Sequence, residues 1–273
     1  MSFFDAGDAA IYYEIEGDGP PFILLHGYAL NGLMWEFQRP AFSKSHTVIT
    51  VDLRGFGRSS CGKVWSGAVM AGDVMGLIAS LGLHDAAVLG FSMSGPVAVR
   101  IAYQLPEIVT RLILASSTLP SKGLPRTKAE ERHIKREFEM LKSHGLDDWA
   151  KAIGMWDGSL LGNMFKRNPA LKTPWEKMLS LHNHTFLTSM MTARMATETD
   201  MDWRPRLKEI RQQTLIIAGA EDNAFVDASK RLARDISNSE LVIIEDAGHM
   251  VNLERPEEFN RGVLEFLGKE KNK

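Results

Sequence analysis

Seven short runs of mostly valine, isoleucine and leucine recur along this 273-residue chain, at residues 11–15, 22–25, 47–51, 86–90, 112–115, 215–218 and 241–244. A near-continuous apolar run of this length suits a β-strand covered on both faces, whereas a half-solvated strand would alternate apolar with polar residues. Between two of the runs, Val69, Met70, Val74, Leu77, Ile78 and Leu81 recur every three or four positions and Gly82 follows them. That spacing predicts an amphipathic helix over residues 69–81 with glycine as its stop. Strand alternating with helix in this way predicts an α/β fold: a mostly parallel sheet, joined by right-handed crossovers and flanked by helices. Residues 2–5 and 10–16 lie close enough in sequence to pair as a hairpin across the Gly7-Asp8 turn.

One stretch breaks the rhythm. From Leu119 to Arg206 no strand-like run appears, and residues 128–144, 146–153, 175–183 and 185–196 have helical spacing. The expected organisation is a core formed by residues 1–118 and 207–273 with a helical insertion at 119–206. The insertion holds four of the six tryptophans (Trp149, Trp156, Trp175, Trp203) and eight of the fourteen methionines. Such residues serve equally as ordinary core or as an adaptable apolar wall above a ligand.

With 44% apolar and 24% charged side chains, the chain can bury a core large enough to need neither disulfides nor a structural metal. Its single cysteine, Cys61, cannot form an internal disulfide. No charged-then-apolar leader follows Met1, so a reducing cytoplasm is the expected location. No apolar run reaches the roughly 18 residues that span a bilayer, so no membrane partner is expected. Thirty-two basic residues against thirty-four acidic ones create no field to attract nucleic acid, which leaves a small molecule as the expected partner. Homodimer formation is left open.

Chemistry is concentrated in residues 87–98, where a strand runs through Gly90-Phe91-Ser92-Met93-Ser94-Gly95 into a helical pattern. A serine on so tight a turn stands exposed at the carboxyl end of the sheet and requires small neighbours two positions away on each side. Gly90 meets that requirement. Ser94 approximates it, either by straining the turn slightly or by turning its hydroxyl to a hydrogen bond within the pocket. Ser92 alone is equally a helix cap. A nucleophilic serine, however, requires a base and a carboxylate to orient that base. Asp222 follows the run ending at Ala218, and His249 follows the last run, so both fall at the same sheet edge as Ser92. The oxyanion of an acyl-transfer intermediate would be met by two backbone amides, those of Met93 and of Tyr28 in the His26-Gly27-Tyr28 loop. His26 precedes the glycine that shapes this loop and is read as structural.

Together these segments resemble the α/β-hydrolases: His26-Gly27, residues 52–59 (Asp-Leu-Arg-Gly-Phe-Gly-Arg-Ser), the elbow at Ser92, Asp222 and Gly248-His249 occur in the order that superfamily uses. The resemblance covers nearly everything outside the insertion. It implies an eight-stranded, mostly parallel sheet flanked by helices, with the insertion between strands six and seven acting as a lid. Ser92 in place of an aspartate nucleophile argues against dehalogenases and epoxide hydrolases. The family includes enol-lactone hydrolases, carboxylesterases and cofactor-free haloperoxidases, and the elbow is similar to the Gly-x-Ser-Met-Gly-Gly of enol-lactonases and perhydrolases. Ser94 departs from the usual glycine, and Val226 stands where many relatives have proline.

The expected activity is hydrolysis of a small carboxylic ester or lactone through an acyl-serine, with Ser92, His249 and Asp222 as the triad and no metal or organic cofactor. Phe91, Trp156 and Met250 are candidate substrate contacts. The alternatives are a C–C bond hydrolase of a vinylogous diketone, whose carboxylates would meet Arg132, Lys166, Arg167 or Arg194, and a non-catalytic receptor on the same fold.

Overall fold

The computed structural model describes residues 2–119, 135, 139, 143, 162–182 and 203–270. Eight strands form one sheet: β1 Ser2–Asp5, β2 Ala10–Glu16, β3 Pro21–Leu25, β4 Thr47–Val51, β5 Ala86–Phe91, β6 Val109–Ala115, β7 Gln213–Gly219 and β8 Ser239–Ile244, in the spatial order β1-β2-β4-β3-β5-β6-β7-β8. β2 is antiparallel to both β1 and β4, and all other pairs are parallel. The hairpin forms as expected, with Asp5 opposite Ala10 and Gly7 at φ +86°.

The helices are α1 Arg39–Phe42, α2 Gly67–Ser80, α3 Gly95–Gln104, α4 Gly162–Arg167, α5 Lys172–Ser180, α6 Asn223–Asp235, α7 Val251–Glu254 and α8 Pro256–Leu267. Five of them flank the sheet: α2 packs on α3, α3 on β5 and β6, α6 on β7 and β8, and α8 on α1 and on the last two strands. α2 begins two residues before its first apolar position, because the Ser66 hydroxyl accepts the Val69 N–H and caps it. Every residue of β5 is buried, as are Leu24, Ile113 and Ile216 on neighbouring strands, and each such aliphatic side chain contributes roughly 1.5–3 kcal/mol by leaving water. The continuous apolar runs of β3 to β7 therefore mark the interior of the sheet, whereas the runs at 11–15 and 241–244 fall on β2 and on the edge strand β8, which are only partly buried.

The described part of the insertion between β6 and β7 is helical. The helix expected at 175–183 runs as Lys172–Ser180, its first turn accepting Pro174 because no intrahelical N–H is needed there. Those expected at 146–153 and 185–196, and most of 128–144, lie outside the described residues. No helix among the described residues is long and apolar enough to cross a membrane.

Parallel pairing places the carboxyl ends of β3 and of β5 to β8 along one edge. Four of the five non-glycine residues with positive φ among the described residues lie within four positions of those ends: Ala29, Ser92, Ser116 and Asp246. A left-handed backbone on an L-residue costs about 1–2 kcal/mol. Strain is thus concentrated on a single rim, which is where functional sites hold it.

Candidate active site

The elbow at Ser92 is built by backbone crowding. β5 ends at Phe91, Ser92 takes φ +50°, and after one short 3₁₀ turn the chain enters α3. A Cβ on Gly90 would stand 2.5 Å from the Ser94 carbonyl oxygen, so only glycine fits there. Ser94 is unstrained at φ −84°, ψ −1°. Its hydroxyl accepts the Phe91 N–H at 2.8 Å and directs its own proton toward the carbonyls of Leu25 (2.8 Å) and Phe91 (3.0 Å). Hydrogen bonding therefore accounts for the serine found where glycine is usual. It also ties the elbow to the end of β3.

His249 lies between Ser92 and Asp222. The Asp222 carboxylate stands 2.7 Å from His249 Nδ1, and His249 Nε2 stands 3.0 Å from Ser92 Oγ. An acceptor-only carboxylate on Nδ1 fixes the proton there, which leaves Nε2 free to accept from the Ser92 hydroxyl. The two loops carrying these groups interlock. Ala220 N–H donates to the Ile244 carbonyl, Glu221 N–H donates to that of Ala247, and a Cβ on Gly219 would collide with the Ala247 and Gly248 oxygens at 2.3 Å. Phe91 and Phe225 pack on the imidazole, their ring centroids 5.4 and 4.4 Å from it.

The loop after β3 lies beside the elbow, because the strand register sets Leu25 against Gly90. Gly27, Tyr28, Ala29 and Leu30 form a turn closed by Leu30 N–H to the Gly27 carbonyl, with Ala29 at φ +54°. His26 is fully buried and both ring nitrogens serve backbone: Nδ1–H donates to the Gly27 carbonyl at 2.7 Å and Nε2 accepts the Leu53 N–H at 2.9 Å. Burial holds its pKa down to about 4, so the ring is neutral. Asp52 accepts the Gly32 N–H at 2.7 Å and two donors of Arg58, which joins residues 52–59 to the same loop.

A family model described as the α/β hydrolase fold matches residues 20–256. The chain belongs to that family. It is 33% identical to AB hydrolase superfamily protein YisY of Bacillus subtilis, over 94% of each chain. It is 26% identical to the 2-hydroxy-6-oxo-6-phenylhexa-2,4-dienoate hydrolase of Comamonas testosteroni, over 96% of this chain and 93% of that protein. Among solved structures, an esterase from Exiguobacterium antarcticum superposes with a TM-score of 0.84 at 25% identity, covering 98% of this chain and 99% of that one.

The remaining candidates of this α/β-hydrolase fall in different places. Met93 opens the turn into α3 and Tyr28 sits in the loop after β3, both half-buried. Phe91 and Met250 are buried, and the Phe91 ring faces His249 and Trp35, so what the structure gives it is support of the imidazole. Trp156, Arg132 and Arg194 lie outside the described residues. Arg167 is paired with Glu221 and with Glu254, beside the loops of Asp222 and His249. Sequence alone missed Phe225, Asn31, His182 and Ser117, whose hydroxyl donates to the Ser92 carbonyl at 2.7 Å. Of these only Phe225, three residues after Asp222, had a local signal. No cluster of three or more metal-ligating side chains occurs among the described residues.

Ser94→Ala leaves the buried Phe91 N–H without its acceptor and should cost about 1–3 kcal/mol of unfolding free energy. Urea denaturation measures it, and a change below about 0.5 kcal/mol would show that the hydroxyl is dispensable to the elbow.

Proposed function

We propose that this α/β-hydrolase cleaves a small carboxylic ester or lactone through an acyl-serine intermediate. The supporting observation is the continuous line of hydrogen bonds from Asp222 through His249 to Ser92 Oγ, on a strained turn at the carboxyl edge of the sheet. In this reading His249 Nε2 takes the Ser92 proton as Oγ attacks the carbonyl carbon. The negative charge moves to the carbonyl oxygen, which the Met93 and Tyr28 amides receive, helped by the positive end of α3. Collapse expels the alkoxide, which takes the proton from His249. A water deprotonated by His249 then attacks the acyl group, releasing the acid and restoring Ser92. Asp222 holds the imidazole and stabilises its charged form. These steps use protein groups and water alone.

Residues 119–206 act in this proposal as a cap. Arg167 supports it, because one guanidinium in the insertion joins Glu221, in the loop that carries Asp222, to Glu254 of α7, the helix that follows His249. A small ester or lactone is the only partner the mechanism requires. Similarity to the Comamonas dienoate hydrolase keeps C–C cleavage by the same groups as the second reading.

The test is a fluorophosphonate probe followed by mass mapping, together with rates on p-nitrophenyl esters of increasing chain length, a lactone series and a ring-fission dienoate. One adduct at Ser92 and faster turnover of an ester or lactone than of the dienoate are expected. An unlabelled Ser92 overturns the nucleophile, and preference for the dienoate transfers the assignment to C–C cleavage.

A further inference from the structure

His182 lies two residues past the end of α5. It is 125 residues from Gly57 and 153 from Ala29 in sequence, yet it contacts both. The Gly57 N–H points at Nδ1 at 3.1 Å, and Nε2 stands 2.9 Å from the Ala29 carbonyl. A backbone N–H only donates and a carbonyl only accepts, so the tautomer is fixed with the proton on Nε2. The ring is 8% exposed and packs edge-on against Phe56. One turn earlier, the Met178 carbonyl accepts a hydrogen bond from Asn31 Nδ2 at 2.8 Å. Two points of α5 and its end therefore grip residues 29 and 31.

What they grip matters for the chemistry. Ala29 is the third residue of the turn that carries the Tyr28 amide, and it is held at φ +54°, a conformation an alanine leaves readily unless its peptide is fixed from outside. Among the described residues His182 is the side chain that fixes the Ala29 carbonyl, and it comes from the insertion. We propose that His182 is a positioning residue for acyl transfer: through its imidazole the end of α5 sets the turn whose Tyr28 amide receives the oxyanion. This rests on the ester-hydrolase reading above. It goes further in making the insertion part of the catalytic apparatus as well as a cover.

His182→Phe retains a ring against Phe56 and removes both hydrogen bonds. His182→Gln retains an amide N–H able to reach the Ala29 carbonyl. A displaced oxyanion donor lowers turnover without an equal change in substrate binding, since the charge it meets exists only in the transition state. His182→Phe should lower kcat for a short p-nitrophenyl ester by about 10- to 100-fold with KM changed less than about threefold, and should slow fluorophosphonate labelling of Ser92 by a similar factor. Phosphonylation develops its negative charge at the same place, so labelling reads the hole even where an ester is a poor substrate. His182→Gln should recover most of both rates. The inference is overturned if His182→Phe keeps kcat and labelling within about twofold of the parent, if the loss lies in KM, or if it matches the unfolded fraction measured by thermal melting. Labelling of the parent at Ser92, lost in Ser92→Ala, shows independently that Ser92 is the activated nucleophile on which the ester-hydrolase reading depends, and the ester-against-dienoate rates of the parent test that reading itself, so failure of one is not mistaken for failure of the other.

Discussion

Ser92→Ala should reduce turnover of a short p-nitrophenyl ester by about 10⁴-fold or more while leaving the fold intact. The hydroxyl is what His249 Nε2 faces at 3.0 Å, and among the described residues neither nearby serine can take its place as nucleophile, because Ser94 directs its oxygen into the β3 and β5 backbone and Ser117 donates to the Ser92 carbonyl. In the proposed mechanism the variant keeps its substrate contacts, the Met93 and Tyr28 amides and an imidazole able to activate only a water poorly placed for attack. Alanine tolerates φ +50° no worse than serine, so the melting temperature should change little. His249→Ala should cost about as much as Ser92→Ala, and the double variant little more than either alone, since members of one relay act as a unit. Activity of Ser92→Ala within tenfold of the parent would remove the acyl-serine from consideration.

The order of strands and their apolar interiors were readable because a buried parallel strand carries its signal in consecutive residues. Their ends were less so. The run at 112–115 is the interior of a strand that begins at Val109, and the run at 215–218 belongs to one that begins at Gln213. Thr110, Arg111, Gln213 and Thr214 lie where polar side chains can serve the rim of the sheet, so apolar counting starts late. Ser92, Asp222 and His249 could be picked out because each follows a strand, and parallel strands bring all such positions to one edge whatever their separation in sequence. Asn31, Ser117 and His182 could not. Their partners depend on how closely one loop approaches another and on where a long insertion returns to the core, and no local pattern encodes that. Ser94 falls between these cases: its small size is visible in sequence, whereas the acceptor and donor that occupy its hydroxyl become visible only once β3 and β5 are paired.

Acid should destabilise this protein well before its carboxylates are protonated. Burial is the main force pushing both His26 and His182 down to about 4 from an ordinary 6.5, and for His182 the neighbouring His26 lowers it further. Asp52 opposes the shift in both cases, as does the Gly27 carbonyl for His26 and the Ala29 carbonyl for His182, without overcoming it. A histidine whose folded pKa lies below its unfolded one stays neutral in the native protein while the unfolded chain takes up a proton. Its contribution to stability is therefore intact above pH 6.5 and is lost as pH falls from 6.5 toward 4, after which both states are charged. Each ring should remove about 2 kcal/mol by pH 5 and roughly 3 kcal/mol over the whole interval. His46, lowered by burial and by Arg111, acts in the same direction. Asp8 and Glu14, both held below their ordinary values, add their loss only below about pH 4.5, and Glu36, raised by burial, works against the histidines as pH falls, so the contribution of His182 is read as the difference in slope between the parent and a His182 variant from pH 6.5 to 5. Urea unfolding at constant ionic strength across that interval measures the slope. His182→Gln, which does not titrate there, should remove roughly half of what the two rings contribute. If the slope of His182→Gln equals that of the parent, the imidazole is protonated in the native state, and the Gly57 N–H must then have turned away from Nδ1.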